Sequence, residues 1–228
     1  MTERVTDAGW SQGDGSATDR VWLADWRRRV ATLYAEVRAM AASDPAIALA
    51  HWRAVREELY RRHPQSPVPP DARETFEAHH FEHDPSLRFE VVVEPAPPAP
   101  RDPAGLALEL PNSGADTLAF SRLGRITLPF PSGARSLSVF WMAGYAGGLF
   151  IPFRDATNGT ETYPAGRYLV DGAKSADLGG DPARGTLIID FNFAFQPSCA
   201  FDPRWACPLA PPENRLDLPI RAGERLAP

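Results

Sequence analysis

Proline sets the first limit on this chain. It has 228 residues, and 24 of them are proline, about twice the usual ~5% share. Proline lacks a backbone N–H and clashes inside a helix, so it is hostile to helix interiors and central strands. A helical bundle over the whole chain is excluded. So is a doubly wound parallel sheet, which needs unbroken helices between its strands. Before Pro64 the only proline is Pro45, and it stands where a helix can begin.

The residues around Pro45 agree with that placement. Trp22, Trp26, Val30, Leu33, Val37 and Met40 recur at spacings of three and four, one face of a helix. Arg27, Arg28, Arg29, Glu36 and Arg38 fill most of the other faces, and Asp19 is placed to cap the start. Ser43-Asp44-Pro45 ends this helix and opens another, with Asp44 as cap. The second carries Ala48, Trp52, Val55 and Leu59 on one face and stops before Pro64. The two form a helical hairpin with a tryptophan stripe. Such a stripe packs as a lid on the rest of the chain, or it meets a partner, including a second copy in a homo-oligomer. Residues 1–18 are mostly small and polar around a lone Trp10 and read as a disordered tail.

After Pro70 the period drops to two. Phe89/Val91/Val93, Leu106/Leu108/Leu110, Leu118/Phe120, Ile126/Leu128/Phe130 and Leu137/Val139/Trp141 alternate, with turn residues between the runs. Residues 148–153 continue the set, Asn158-Gly159 is a strong hairpin signal, and Tyr168-Leu169-Val170 returns. Thr186 to Phe191 reads as a more continuous, central strand. The expected fold is mainly β (α+β): an antiparallel β-sandwich or partly closed barrel preceded by an N-terminal helical hairpin. The expected division is a tail over 1–18, the hairpin over 19–63 and a β-rich domain over 64–228.

Charge narrows the partners. Lys+Arg total 24 and Asp+Glu 29, a net of −5, which argues against a nucleic-acid or membrane-surface binder. The longest apolar run, 138–153, is broken by glycine and proline and is shorter than a membrane span of ~20 residues. The polar start lacks the apolar core of an export signal, so the cytoplasm is the expected place, with Cys199 and Cys207 as free thiols.

Chemistry-bearing residues crowd into two stretches, 152–168 and 190–216. Arg154 or Arg167 with Asp155 or Glu161 forms either a clamp for an acidic ligand or an ion pair between strands. Asp190 and Asn192 alternate onto one face of a strand, so they need partners, in a pocket or in a buried network. Glu213-Asn214 follows prolines in a loop and suits a turn or a site. Cys199 has no histidine beside it in sequence, which favours a packed thiol over a nucleophile. Cys199 and Cys207 lack zinc-knuckle spacing, and His79, His80 and His83 stand among acidic residues before a proline, so no metal is expected. No phosphate-binding loop, dinucleotide fingerprint or serine elbow occurs, so no cofactor is expected and no catalytic residue is assigned.

These stretches also resemble a known family. Pro152-Phe153-Arg154-Asp155-Ala156-Thr157-Asn158-Gly159-Thr160-Glu161-Thr162-Tyr163-Pro164-Ala165-Gly166-Arg167-Tyr168 is similar to a signature of the bacterial and archaeal family catalogued as domain of unknown function 1684. So are Asp190 to Phe201, Cys207-Pro208 through Leu216, and Ala222-Gly223-Glu224. Phe193 stands where that family commonly has a basic residue, Phe195-Gln196 where it has Tyr-Asn, and Phe201 where it has Tyr. The resemblance implies a location for a site and no activity. The expected ligand is small, polar or acidic, held by Arg154, Asp155, Thr157, Glu161, Tyr163, Arg167, Tyr168, Asp190, Asn192, Cys199, Glu213 and Asn214. The alternative is a structural or partner-binding protein in which these residues form a buried hydrogen-bond network.

Overall fold

A computed structural model describes residues 16–96, 108–110, 118–143 and 147–228. Residues 1–15 of the tail expected over 1–18, the Leu106 position, residues 97–103 of the turn expected over 95–103 and the turns at 112–114 and 144 lie outside them.

Helix α1 spans Ala17–Ala41 and α2 spans Pro45–Arg62. The cap of α1 is Ser16, whose side chain accepts from the Asp19 N–H at 3.1 Å. Asp19 therefore sits in the first turn, and Ala17 and Thr18, expected in the tail, are helical. Asp44 caps α2 as expected, its Oδ1 accepting from the Ala46 and Ile47 N–H groups. The apolar stripe is buried through Val30, Leu33, Tyr34 and Val37, but Trp22 lies beyond its edge and is exposed.

Among the described residues eight strands follow: β1 Arg88–Val92, β2 Glu94–Pro95, β3 Leu108–Leu110, β4 Leu118–Leu128, β5 Arg135–Met142, β6 Leu149–Phe153, β7 Arg167–Asp171 and β8 Thr186–Asp190. All pairings between them are antiparallel. The large sheet runs β2-β4-β5-β6-β7, with β3 also on β4; β1 and β8 form a small second sheet. Neither sheet closes into a barrel. The fold is mainly β, α+β, with two helices preceding two antiparallel sheets.

The large sheet is covered on both faces. On one, Phe140, Met142, Phe150 and Tyr168 join Leu33, Val37, Leu49 and Trp52 of the hairpin. On the other, Leu137, Val139, Ile151, Phe153 and Leu169 join Val91 and Ile189 of the small sheet and Leu216, Ile220 and Ala222 of the C-terminal segment. Successive residues of β5 serve opposite clusters, as the two-residue period requires. Trp141 continues the face of Leu137 and Val139 but is exposed.

Two local readings are corrected. Asn158-Gly159 is not a two-residue turn between strands. It lies in the connection between β6 and β7, where the Gly159 N–H donates to the Thr162 carbonyl. Asp190 ends β8 and caps a single turn over Phe191–Phe193, so Asn192 lies in that turn rather than on the strand.

Candidate functional site

The 152–168 stretch folds around one ion pair. Arg167 Nη2 meets Asp155 Oδ2 at 2.9 Å, and neither side chain is exposed. The guanidinium also donates to the carbonyls of Ile220, Ala222 and Glu224. Asp155 Oδ1 accepts from the Thr157 N–H at 2.7 Å and the Thr157 hydroxyl at 2.6 Å. Thr157 Oγ1 in turn meets Thr162 Oγ1 at 2.8 Å. Burial pushes the Arg167 pKa down from its ordinary value, against the pull of Asp155. Gly223 permits the C-terminal approach: its φ is +76°, and a Cβ there would fall 2.7 Å from the Phe191 carbonyl oxygen.

The other candidates of this stretch have separate partners. Arg154 Nη2 donates to the Pro164 carbonyl at 2.9 Å. Glu161 pairs with Arg221 at the surface, which holds its carboxyl below the usual range. Tyr163 Oη donates to the Cys199 carbonyl and Tyr168 Oη to the Pro208 carbonyl, and burial pushes both phenols up. The two motif stretches thus meet in space.

The second stretch is equally engaged. Asp190 Oδ1 accepts from the Asn192 N–H and Nδ2, and Oδ2 pairs with Arg88 at 3.2 Å. The Asn192 side chain exchanges two hydrogen bonds with the Asp84 backbone. Asn214 bonds both backbone groups of Ser138 and the Pro152 carbonyl. Glu213 pairs with Arg122 at the surface. Cys199 and Cys207 are buried and not in a disulfide, and the Cys199 N–H donates to Cys207 Sγ at 3.3 Å. Among the described residues no group of three His, Cys, Asp or Glu gathers to hold a metal.

None of these candidates lines the cavity that lies between the hairpin and the large sheet. That cavity measures about 70 Å³ and is walled by Val30, Tyr34, Tyr60, Met142, Phe150 and Phe195. Asp171, Gln196 and Cys207 supply its buried polar edge, Arg56, Lys174 and Trp205 are half-buried at it, and Arg27 is exposed. Arg56 is fixed by Glu224, 2.5 Å from its Nε, and lies over the rings of Tyr60 and Phe195. Burial opposes the Arg56 charge, but Glu224 beside it more than restores it, so its pKa rises. Asp171 Oδ2 pairs with Lys174 at 3.1 Å, whereas Asp171 Oδ1 and Gln196 Oε1 are buried without a hydrogen-bond partner.

The Arg56–Glu224 pair escaped sequence reasoning, since the two residues stand 168 positions apart. The signals available were the Ala222-Gly223-Glu224 motif and the arginine on the aromatic side of α2.

A family model described as "Protein of unknown function (DUF1684)" matches residues 74–225. The chain belongs to that family. A solved structure similar to it is the solution NMR structure of an uncharacterised protein of Haloarcula marismortui. Identity is 28%, the TM-score is 0.56, and the match covers 82% of this chain and 96% of that one. No curated protein matches the chain. Within this DUF1684 chain, the residues that depart from the expected signature collect beneath the hairpin. Phe193 packs on Trp52 with ring centroids 5.5 Å apart, Phe201 packs on Tyr60 at 5.1 Å, and Phe195 and Gln196 line the cavity. No helix among the described residues is long and apolar enough to cross a membrane.

Proposed function

We propose that this protein binds a small polar or acidic molecule in the cavity beneath the helical hairpin, with the hairpin as its lid. The observation that carries this reading is the pair of buried acceptors without donors, Asp171 Oδ1 and Gln196 Oε1, on residues that line the cavity. A buried acceptor left unmade costs ~1–3 kcal/mol, and a ligand donor removes that cost. Apolar walls with a few polar groups are the usual make-up of a ligand site. The dense network of 152–168 serves as scaffold in this reading: Arg167 ties β7 to the C-terminal segment that carries Glu224, and Glu224 holds Arg56.

Two measurements on the full chain test it. Native mass spectrometry of freshly purified protein detects a retained ligand. Met142 lines the cavity, and Met40 does not, so methyl-labelled methionine gives a local reporter with an internal control. A small-molecule library that shifts Met142 and leaves Met40 in place supports the site. No bound mass, together with an unmoved Met142 across the library, refutes it.

A further inference from the structure

The cavity's own groups narrow what it takes, and this step rests on reading the cavity as a ligand site. The buried and half-buried charges on its wall, Asp171, Lys174 and Arg56, are already matched. Lys174 Nζ meets Asp171 Oδ2 at 3.1 Å, and Arg56 Nε meets Glu224 Oε1 at 2.5 Å, with Nη2 towards Oε2. A charged ligand entering there would leave water without a counter-ion of its own, and an unmatched buried charge is costly.

What the wall lacks is a donor. Asp171 and Gln196 are buried and line the cavity, and Asp171 Oδ1 and Gln196 Oε1 have no hydrogen-bond partner. Gln196 cannot exchange its amide ends to escape this. Its Nε2 donates to the Arg225 carbonyl at 3.3 Å, and a flip would set two oxygens against each other. Its backbone N–H donates to Glu224 Oε2 at 2.7 Å, which holds the residue in place. Asp171 is fixed by Lys174 on its other oxygen and by two backbone hydrogen bonds with Ala176.

These two acceptors select among ligand groups. A carboxylate brings only further acceptors. An ammonium group would meet Lys174 already on Asp171. A hydroxyl or an amide N–H donates without adding charge.

Size limits the rest. A cavity of about 150 Å³ holds a benzene molecule, and this one is about 70 Å³. The occupant is therefore a short chain and not an aromatic ring.

We propose that the cavity binds a small uncharged hydrogen-bond donor, a short-chain alcohol or primary amide. Its O–H or N–H donates to Gln196 Oε1 or Asp171 Oδ1, and its alkyl part lies against Val30, Met142 and Phe150.

Methyl-labelled full-length protein is titrated with 1-propanol and propionamide, and with acetone, propionate and n-propylamine as comparators of the same chain length. The alcohol and the amide are expected to shift Met142 and not Met40. The better of them should bind about tenfold tighter than acetone, which accepts but does not donate; that is the worth of one hydrogen bond. Propionate and n-propylamine should not bind. Gln196→Leu and Asp171→Ala each remove one acceptor, and the preference over acetone should fall towards one in at least one of them. Both variants are checked for an unchanged fold by their methyl spectra, and wild-type discrimination alone decides the matter if either fails to fold. Acetone, propionate or n-propylamine binding as well as the donors overturns the uncharged-donor assignment and leaves the ligand site standing. A preference unmoved in both folded variants does the same, as does a Met142 that responds only to other members of the wider library. If no compound moves Met142 here or in that library, the site itself falls.

Discussion

Arg167 Nη2 and Asp155 Oδ2 stand 2.9 Å apart with no exposure of either side chain, and the same guanidinium gathers three carbonyls of the C-terminal segment. One residue of β7 thereby fixes both the loop that leaves β6 and the C-terminal segment from Ile220 to Glu224. Removing one partner of a buried pair leaves the other charged and unmatched, which costs ~3–5 kcal/mol. Asp155→Asn and Arg167→Met should each lower urea-unfolding stability by about that amount. A loss below about 1 kcal/mol for both would mean that the pair is not the knot of this segment.

Much of this architecture was legible in the sequence because it is local. Asp44-Pro45 marks a helix start whatever surrounds it, and the strand alternation follows from a pleat with covered faces. The Arg167–Asp155 pairing was among the alternatives, since both residues fall in one stretch. What spacing cannot carry is contact across the chain. Arg56 and Glu224 meet over 168 positions, and the cavity is built by the hairpin with segments around Phe150, Asp171 and Cys207. A polar residue in a motif also looks the same whether it faces a ligand or a carbonyl; Asn214 faces three backbone groups of its own chain.

The hairpin stripe separates by depth. Trp52 has no exposure and packs on Phe193, whereas Trp22 is 41% exposed. Trp52→Ala should cost ~3–5 kcal/mol, and Trp22→Ala about 0.5 kcal/mol or less. Thermal unfolding of the two variants checks this. Equal shifts would show that burial does not separate them.

Neighbouring residues Glu213 and Asn214 should behave oppositely. The Asn214 amide holds β5 to β6 through three hydrogen bonds at 2.7–3.0 Å, all buried. Asn214→Leu leaves buried backbone groups unmade, a loss of ~2–4 kcal/mol at ~1–3 kcal/mol per orphaned group with partial relaxation. Glu213→Ala removes a partly exposed pair with Arg122 and should cost under about 1 kcal/mol. Chemical denaturation that ranks Glu213→Ala as the worse change would contradict this assignment.

Histidine titration gives a pH signature. Burial holds the His80 pKa down to about 4, from 6.5 in the unfolded chain; Glu224 opposes the shift, and Arg53 and Arg56 add to it. Burial also lowers His63, against the pull of Asp25. Between pH 4 and 6.5 the unfolded state binds more protons at His80 than the folded one. The stability from neutral His80 is therefore full above 6.5 and declines as pH falls towards 4. Melting temperature should fall from neutral pH to about pH 5, and His80→Gln should fall less over that interval. A variant whose decline matches that of the wild type would remove His80 from the explanation.

The thiols give the last contrast. Cys199 and Cys207 are 7% and 4% exposed, and neither is in a disulfide. The contact with Cys199 pushes the Cys207 thiol well above its ordinary pKa, and burial adds to the shift. Only the thiolate attacks an alkylating reagent, so a raised pKa and a closed surface suppress reaction together. Iodoacetamide at neutral pH should leave both thiols unlabelled in the folded protein and modify both in urea. Cys207 lines the cavity and Cys199 does not. Opening of the hairpin would therefore expose Cys207 first, and any slow native-state labelling should appear there before Cys199. Labelling of Cys199 at the rate of a free thiol in solution would require an open, charge-stabilised thiolate, which its packing against Cys207 does not provide.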